Sequence, residues 1–278
     1  MKMNAASKIY TALILAFLYL PIAVLIFFSF NEANSTSVFT GFSLQWYREL
    51  FADRETLKTL YNTLIIAVLS SAIATVIGTA AAVGIQSLGK WSKKLVMGVT
   101  NLPLMNPDIV TGVAMMLLFV FIMGLFGGTE ILGFWTILIA HVTFNLPYVI
   151  LSVNPKLRQL DPHLVEAAQD LGCPGRKAFF KVVLPNIMPG IVTGFIMAFT
   201  LSIDDFVISY FVSGPSFQTL PLRIYAMTKR RVEPSINALS TLIFVVVLVL
   251  LIIINVRQAT DEKKLKKNII SAKNAGTK

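Results

Sequence analysis

The stretch "NPKLRQLDPHLVEAAQDLGCPGRKAFFKVVLPNIMPG", residues 154–190, joins two apolar runs, and its own chemistry is that of two short helices. Asp161 can cap the first, Pro162 suits its first turn, and Gly172 can take the left-handed conformation that ends it. Pro174 or Gly175 then opens a second helix over "RKAFFKVV", with Pro185 expected to close it. Ala167 and Ala168 give the first helix a close-packing face, so something outside the chain is expected to dock there.

Moving outward from this loop, the 278 residues are 55% hydrophobic and only 14% charged, with a mean hydropathy of +0.73, far from the balance of a soluble domain. Six apolar runs recur, at about 9–30, 60–88, 95–126, 134–153, 187–212 and 236–256. Each is long enough to cross a hydrocarbon core of ~30 Å, which takes about 20 helical residues. They are continuous rather than alternating, which excludes a closed β-barrel and predicts an all-α polytopic membrane protein with six transmembrane helices. The first run is too long for a secretion signal and lacks a small-x-small cleavage site before "NEANSTS"; it is expected to be a retained anchor. Residues 1–258 are expected to form one permease domain that includes the loop 154–186, followed by a basic tail, 259–278.

Most of the 24 basic residues fall on one side if both termini are cytoplasmic: Lys2, Lys8, Lys90, Lys93, Lys94 and the loop's Lys156, Arg158, Arg176, Lys177 and Lys181, together with the tail. The net charge of +10 is then a topology signal and requires no nucleic-acid partner. Cys173, the single cysteine, cannot form an internal disulfide.

The loop also carries a pattern. "EAAQDLGCPGRKAFFKVVLP" resembles the EAA motif of bacterial ABC-importer permeases, with Glu166, Ala167, Ala168, Gly172, Leu184 and Pro185 at the fixed spacing and Val182 where isoleucine is usual. "SFN" at 29–31, "WY" at 46–47, "PDIV" at 107–110, "FTLSIDDFV" at 199–207, "SGPSFQTLPLRIY" and "INALSTL" narrow the resemblance to the spermidine/putrescine permeases, over about 230 residues from the first run into the sixth. The resemblance implies the type I ABC-importer permease (MetI-like) fold. It also implies a second permease subunit forming a heterodimer, two ATPase subunits that receive the EAA loop as a coupling helix, and an extracytoplasmic polyamine-binding protein. Membrane lipid surrounds such a protein, and no cofactor or metal is implied. No G-x-x-x-x-G-K-[ST] phosphate loop occurs, so ATP must act through a partner. An ion-coupled carrier also lacks that loop, and the EAA spacing decides between them.

Three acids stand in the apolar runs. An aspartate at the centre of a lipid-facing helix costs about 2.5–3.5 kcal/mol, so Asp204 and Asp205 should face a cavity or a partner. As one helix, Ser202, Asp205 and Ser209 share a face and Thr200 and Asp204 share another, a polar sector wide enough to line a passage. A polycationic cargo would relieve the repulsion of adjacent carboxylates; pairing within the assembly is the competing role, although no intramembrane lysine or arginine offers itself. Asp108 follows Pro103 and Pro107, which are expected to interrupt helical bonding, and Asn106, which can cap a new start, so Asp108 is expected at a mid-membrane helix start, where dipole capping and a substrate role are both open. Trp46, in the amphipathic "FSLQWYRELF", is a candidate for substrate access through cation–π attraction, against interfacial anchoring. His141 is expected to be a hydrogen-bonded core histidine. Other small-solute ABC permeases, and ion-coupled carriers or channels in which Asp108, Asp204 and Asp205 bind cations, are the alternatives.

Overall fold

The computed structural model describes residues 5–33, 38–127, 132–161, 163–230, 234–249, 251–252 and 256. Pro162, the tail 259–278 and part of the last apolar run lie outside the described residues. The elements are α1 (Ala5–Phe28), α2 (Gln45–Ala52), α3 (Arg54–Gln86), α4 (Lys90–Met105), α5 (Asp108–Leu125), α6 (Phe134–Gln159), α7 (His163–Asp170), α8 (Gly175–Ala178), a π-turn (Phe179–Val183), α9 (Leu184–Asp204), α10 (Val207–Val212), α11 (Leu220–Arg230) and α12 (Pro234–Val249). Among the described residues there is no strand, only an isolated bridge between Asn31 and Phe42. Among the described residues five helical stretches are long and apolar enough to cross a membrane: Ser7–Phe28, Arg54–Gln86, Asp108–Leu125, Phe134–Gln159 and the joined Gly175–Asp204. Pro234–Val249 is apolar but shorter.

Three local readings need correction or refinement. The run 95–126 does divide, with α4 ending at Met105 and α5 starting at Asp108, but Pro103 stays inside α4 and does not break it, Pro107 rather than Asn106 is the N-cap, and no side chain caps the new start. Pro185 does not close the loop's second helix. The wider ring of the π-turn sends the Leu184 N–H to the Phe179 carbonyl, so Pro185 falls in the first turn of α9, where a missing N–H leaves nothing unpaired. The run 187–212, expected as one helix, stops at Asp204: Asp205 is extended, at φ −64° and ψ 117°, and α10 begins at Val207.

The chain forms two compact units. The first comprises the described residues of Met1–Thr59 and Arg223–Val249. Here α1 leaves its apolar surface open, as lipid or another subunit would require. After it the chain turns around Asn31, which is fully buried. Its Nδ2 donates to the Val38 carbonyl at 2.7 Å and its Oδ1 accepts from the Thr40 N–H at 3.0 Å. The Trp46 indole N–H on α2 donates to the Asn31 carbonyl at 2.7 Å, and the Ser29 and Tyr47 hydroxyls meet at 2.7 Å. The "SFN" and "WY" dipoles therefore satisfy each other, with Phe30 stacked on Phe42 and tilted against Tyr47. Arg223 closes on Asp53 at 3.3 Å and on Glu55 at 2.9 Å.

The second unit comprises the described residues of Leu60–Leu222 and Leu250–Lys278. Its axis is α6, whose Ile137, Ala140, Val149 and Val153 are almost wholly buried with Ile66, Ile187, Ala198, Ile208 and Val212. Small residues set the helix spacing, as van der Waals packing in a membrane demands. A Cβ added at Gly194 of α9 would stand 3.2 Å from the Val149 Cα, and one at Gly112 of α5 would stand 2.8 Å from the Phe211 ring of α10.

Candidate functional site

Ser70, His141, Asn145, Ser202 and Ser209, buried in the second unit's core, converge with Asp205 on the gap between α9 and α10. Asp205, one residue ahead of the α10 N-cap, accepts from the Ile208 N–H at 3.3 Å and the Ser209 N–H at 2.8 Å, which satisfies two of the donors a helix start leaves open. From α6, His141 closes the other side, its Nε2 3.3 Å from Asp205 Oδ2 and 3.1 Å from Ser209 Oγ. Its Nδ1 lies 2.8 Å from Ser202 Oγ on α9. Ser202 also meets Ser70 Oγ of α3 at 2.8 Å and accepts from Asn145 Nδ2 at 3.1 Å.

A hydroxyl has one proton and two lone pairs, so these three partners saturate Ser202. Since Asn145 donates, one of the other two contacts is given and one received. With the imidazole proton on Nε2, that N–H points at Asp205 and Ser209, Ser202 donates to Nδ1, and Ser70 donates to Ser202. With both ring nitrogens protonated the direction reverses, and Ser70 turns to the Ala67 carbonyl 3.4 Å away. The ring is held from both sides in either state. Three helices and a helix break are thus joined through one histidine, and His141 and Asn145 reach the same hydroxyl because a spacing of four places them on one face of α6.

The expected residues divide sharply. Asp205 and Ser202 are engaged within this network, whereas Asp204, the last residue of α9, is exposed. Among the described residues no side chain satisfies the Asp204 carboxyl; its hydrogen bond is to its own backbone. Asp108, the first residue of α5, is likewise exposed and lies within electrostatic reach of Tyr148 on α6. Trp46 is buried at 8% exposure with its N–H spent on Asn31, so it is a packing residue of the first unit and presents no open face for a cation. Sequence reading missed Ser70 and Asn145; a polar side chain one helical turn from His141 in an apolar run was the available signal.

The loop 154–190 presents a different surface. The Asp161 carboxylate accepts from the His163 N–H at 3.0 Å, and α7 ends at Gly172 in the left-handed region, φ 79°, where the Cys173 N–H reaches back to the Ala168 carbonyl. No residue of α7 is buried. Glu166 and Ala167 are open, with Leu164 and Leu171 exposed beside them. The His163–Glu166 contact at 3.0 Å is solvated on both sides. Leu184 and Pro185 lie where the loop enters α9.

Residues 74–267 match the family described as "Binding-protein-dependent transport system inner membrane component". The chain is 39% identical over 239 residues to the spermidine/putrescine transport system permease protein PotC of Escherichia coli (strain K12), covering 86% of this chain and 88% of that one. It is 42% identical over 229 residues to the putrescine transport system permease protein PotI of the same strain, covering 82% and 81%. In fold it resembles a chain of a bacterial ABC transporter involved in the import of the acidic polysaccharide alginate, with a TM-score of 0.71 at 17% identity over 92% of this chain and 94% of that chain.

Proposed function

Because the chain belongs to the binding-protein-dependent transport system inner membrane components, we propose that it is a membrane-spanning permease subunit of an ATP-driven polyamine importer, forming half of the translocation path, with spermidine and putrescine as the cargo class. The observation that carries this reading is the identity of 39% and 42% to polyamine permeases over more than four fifths of the chain. The chain itself carries no phosphate loop, and its role is transport, with ATP hydrolysis left to a separate ATPase.

The residues give this reading a physical course. Asp108 and Asp204 are open carboxylates at the ends of interrupted membrane helices, and their desolvation is offset when an alkylammonium chain passes. Such a cargo carries two or three positive charges along a flexible stem, so it can meet separated acids in sequence. On the cytoplasmic side, Glu166, Ala167, Ala168 and Gly172 form the exposed elbow on which an ATPase would press, and the helical path from Gly175 to Asp204 runs without interruption from that elbow to the break. Movement at the elbow therefore reaches Asp204 along one continuous helical path. Coupling requires that the cargo bind the outward- and inward-open states unequally.

In this arrangement both termini lie in the cytoplasm, which the excess of lysine and arginine at Lys2, Lys8, Lys90, Lys93 and Lys94, in the loop and in the tail supports. A second permease subunit, two ATPases and an extracytoplasmic binding protein complete the assembly. The test is uptake of radiolabelled spermidine and putrescine into vesicles holding that assembly. ATP-dependent uptake that sugars and neutral amino acids fail to compete supports the reading. Transport by this chain alone, driven by an ion gradient, overturns it in favour of an ion-coupled carrier, and competition by sugars or neutral amino acids moves it to another ABC permease.

A further inference from the structure

We infer that the two adjacent aspartates have separate tasks: His141 holds Asp205 as the anchor of the α9–α10 break, and this anchor presents Asp204 alone to the cargo. The inference rests on the proposed polyamine reading for the identity of the cargo, and on geometry alone for the anchor.

The geometry separates the pair in three ways. Asp205 has a side-chain exposure of 9% and spends its oxygens on Ile208 N–H, Ser209 N–H and His141 Nε2. A carboxylate so engaged has little left for a passing ammonium, and removing it strips α10 of its cap. Asp204, one residue earlier, is exposed and has no side-chain partner among the described residues. The backbone explains the difference: with φ −64° Asp205 still stands at the helical angle of about 100° from Asp204, and so on another face of α9, while its ψ of 117° turns the following chain so that the Ile208 and Ser209 N–H groups come back to its carboxylate alone. The anchor is tied to α6 through His141, to α9 through Ser202 and to α3 through Ser70, so the position of Asp204 is set by the second unit's core and not by its own contacts. His141 is accordingly a positioning residue. It touches no cargo and acts through Asp205.

The two nitrogens of His141 make this separable by substitution. Glutamine at 141 can put an amide N–H near the place of Nε2 and keep the bond to Asp205, whereas asparagine reaches only the Nδ1 side and loses it. The experiment uses the assembled transporter in vesicles, with two readouts. The first is KM and kcat of spermidine uptake for Asp204→Asn, Asp205→Asn, His141→Gln and His141→Asn. The second, which needs no cargo, is the rate at which a cationic methanethiosulfonate modifies a cysteine placed by Asp204→Cys in a Cys173→Ser background, with and without each change at 141 and 205.

Asp204→Asn is expected to raise KM by roughly tenfold or more, the size of a lost charge-assisted contact, with assembly intact. Asp205→Asn and His141→Asn are expected to change the thiol rate at 204 severalfold and to be non-additive when combined, while His141→Gln retains most of the original rate. If Asp205→Asn prevents assembly, His141→Asn carries the same test through a milder change. An unchanged KM in Asp204→Asn, or a thiol rate at 204 indifferent to both His141→Asn and Asp205→Asn, overturns the inference. If the unaltered complex takes up no polyamine, the cargo reading fails by itself, and the thiol rates still decide whether His141 and Asp205 hold the break.

Discussion

Asp53 and Asp205 each lie 3.3 Å from a basic nitrogen, Nη2 of Arg223 in the first unit and Nε2 of His141 in the second. The distances match and the surroundings do not. Asp53 has a side-chain exposure of 36% against 9% for Asp205, and its partner is permanently charged, whereas imidazole can be neutral. Where water reaches, the chain uses full charges, which cost little and contribute little. Within apolar surroundings it uses a histidine, three serines, an asparagine amide and backbone N–H groups, because a fixed ion pair there would forfeit several kcal/mol of hydration per ion. The same pairing motif is a surface clamp in one unit and a structural centre in the other.

The comparison breaks most directly at Asp205. Asp205→Ala removes bonds from two backbone donors and an imidazole at once, each worth about 1.5–3 kcal/mol when the acceptor is charged, so a loss of about 3 kcal/mol or more is expected. Thermal unfolding of the purified complex in detergent measures it. A midpoint shift no larger than that of Arg223→Gln would show that burial does not separate the two pairs.

Asn31→Ala comes next. It removes two bonds made by a fully buried side chain, but their partners, the Val38 carbonyl and the Thr40 N–H, belong to exposed residues that water can reach, so about 1 kcal/mol is expected to be lost. Trp46 should become more accessible as the turn loosens, which iodide quenching of its fluorescence in a variant lacking Trp91 and Trp135 would detect. Retained shielding of Trp46 would mean that the indole bond to the Asn31 carbonyl holds the turn without the side chain.

The asymmetry between what composition revealed and what it concealed follows the same physical line. Apolar runs longer than a bilayer, the split at Asn106–Pro107 and the left-handed stop at Gly172 are local, since proline and glycine act through their own backbones. The break at Asp205 has no proline or glycine in "FTLSIDDFVISYFVS" to announce it; the bonds from the Ile208 and Ser209 N–H groups to Asp205 are local, but the His141 that closes on its other side lies 64 residues away, which no local pattern can supply. Pro185 misleads for another reason, because the π-turn ahead of it places the proline in the first turn of α9, where a residue that ordinarily ends a helix is tolerated. Trp46 has the composition of a cation-binding aromatic, and only the fold of the turn around Asn31 reveals that it is buried.

A smaller effect is expected at the surface clamp. Arg223→Gln should cost about 1 kcal/mol or less, as partly exposed ion pairs do. The difference should fade in ~1 M salt, where the Debye length shrinks to about 3 Å. Comparing unfolding midpoints of the two proteins at low and high salt checks this, and a difference that survives high salt would mean that Arg223 acts through packing of its stem.

The finest distinction is in acid. Burial works to raise the pKa of Asp53, but the Thr56 hydroxyl, the Glu55 and Thr56 N–H groups and the Arg223 guanidinium outweigh it and hold the carboxyl below its ordinary value of 3.8. A group depressed on folding contributes stability that is fully present above the unfolded value and is lost as pH falls through the folded one. Asp53→Asn removes that titration without removing the side chain's volume. The stability difference between the unaltered protein and Asp53→Asn should therefore be flat from neutrality down to about pH 5 and shrink steadily below about pH 4. Unfolding midpoints of both proteins across that range test the sign. A difference that instead grows on acidification would mean that burial outweighs the hydrogen bonds and Arg223, and that this clamp resembles the buried centre more than its exposure implies.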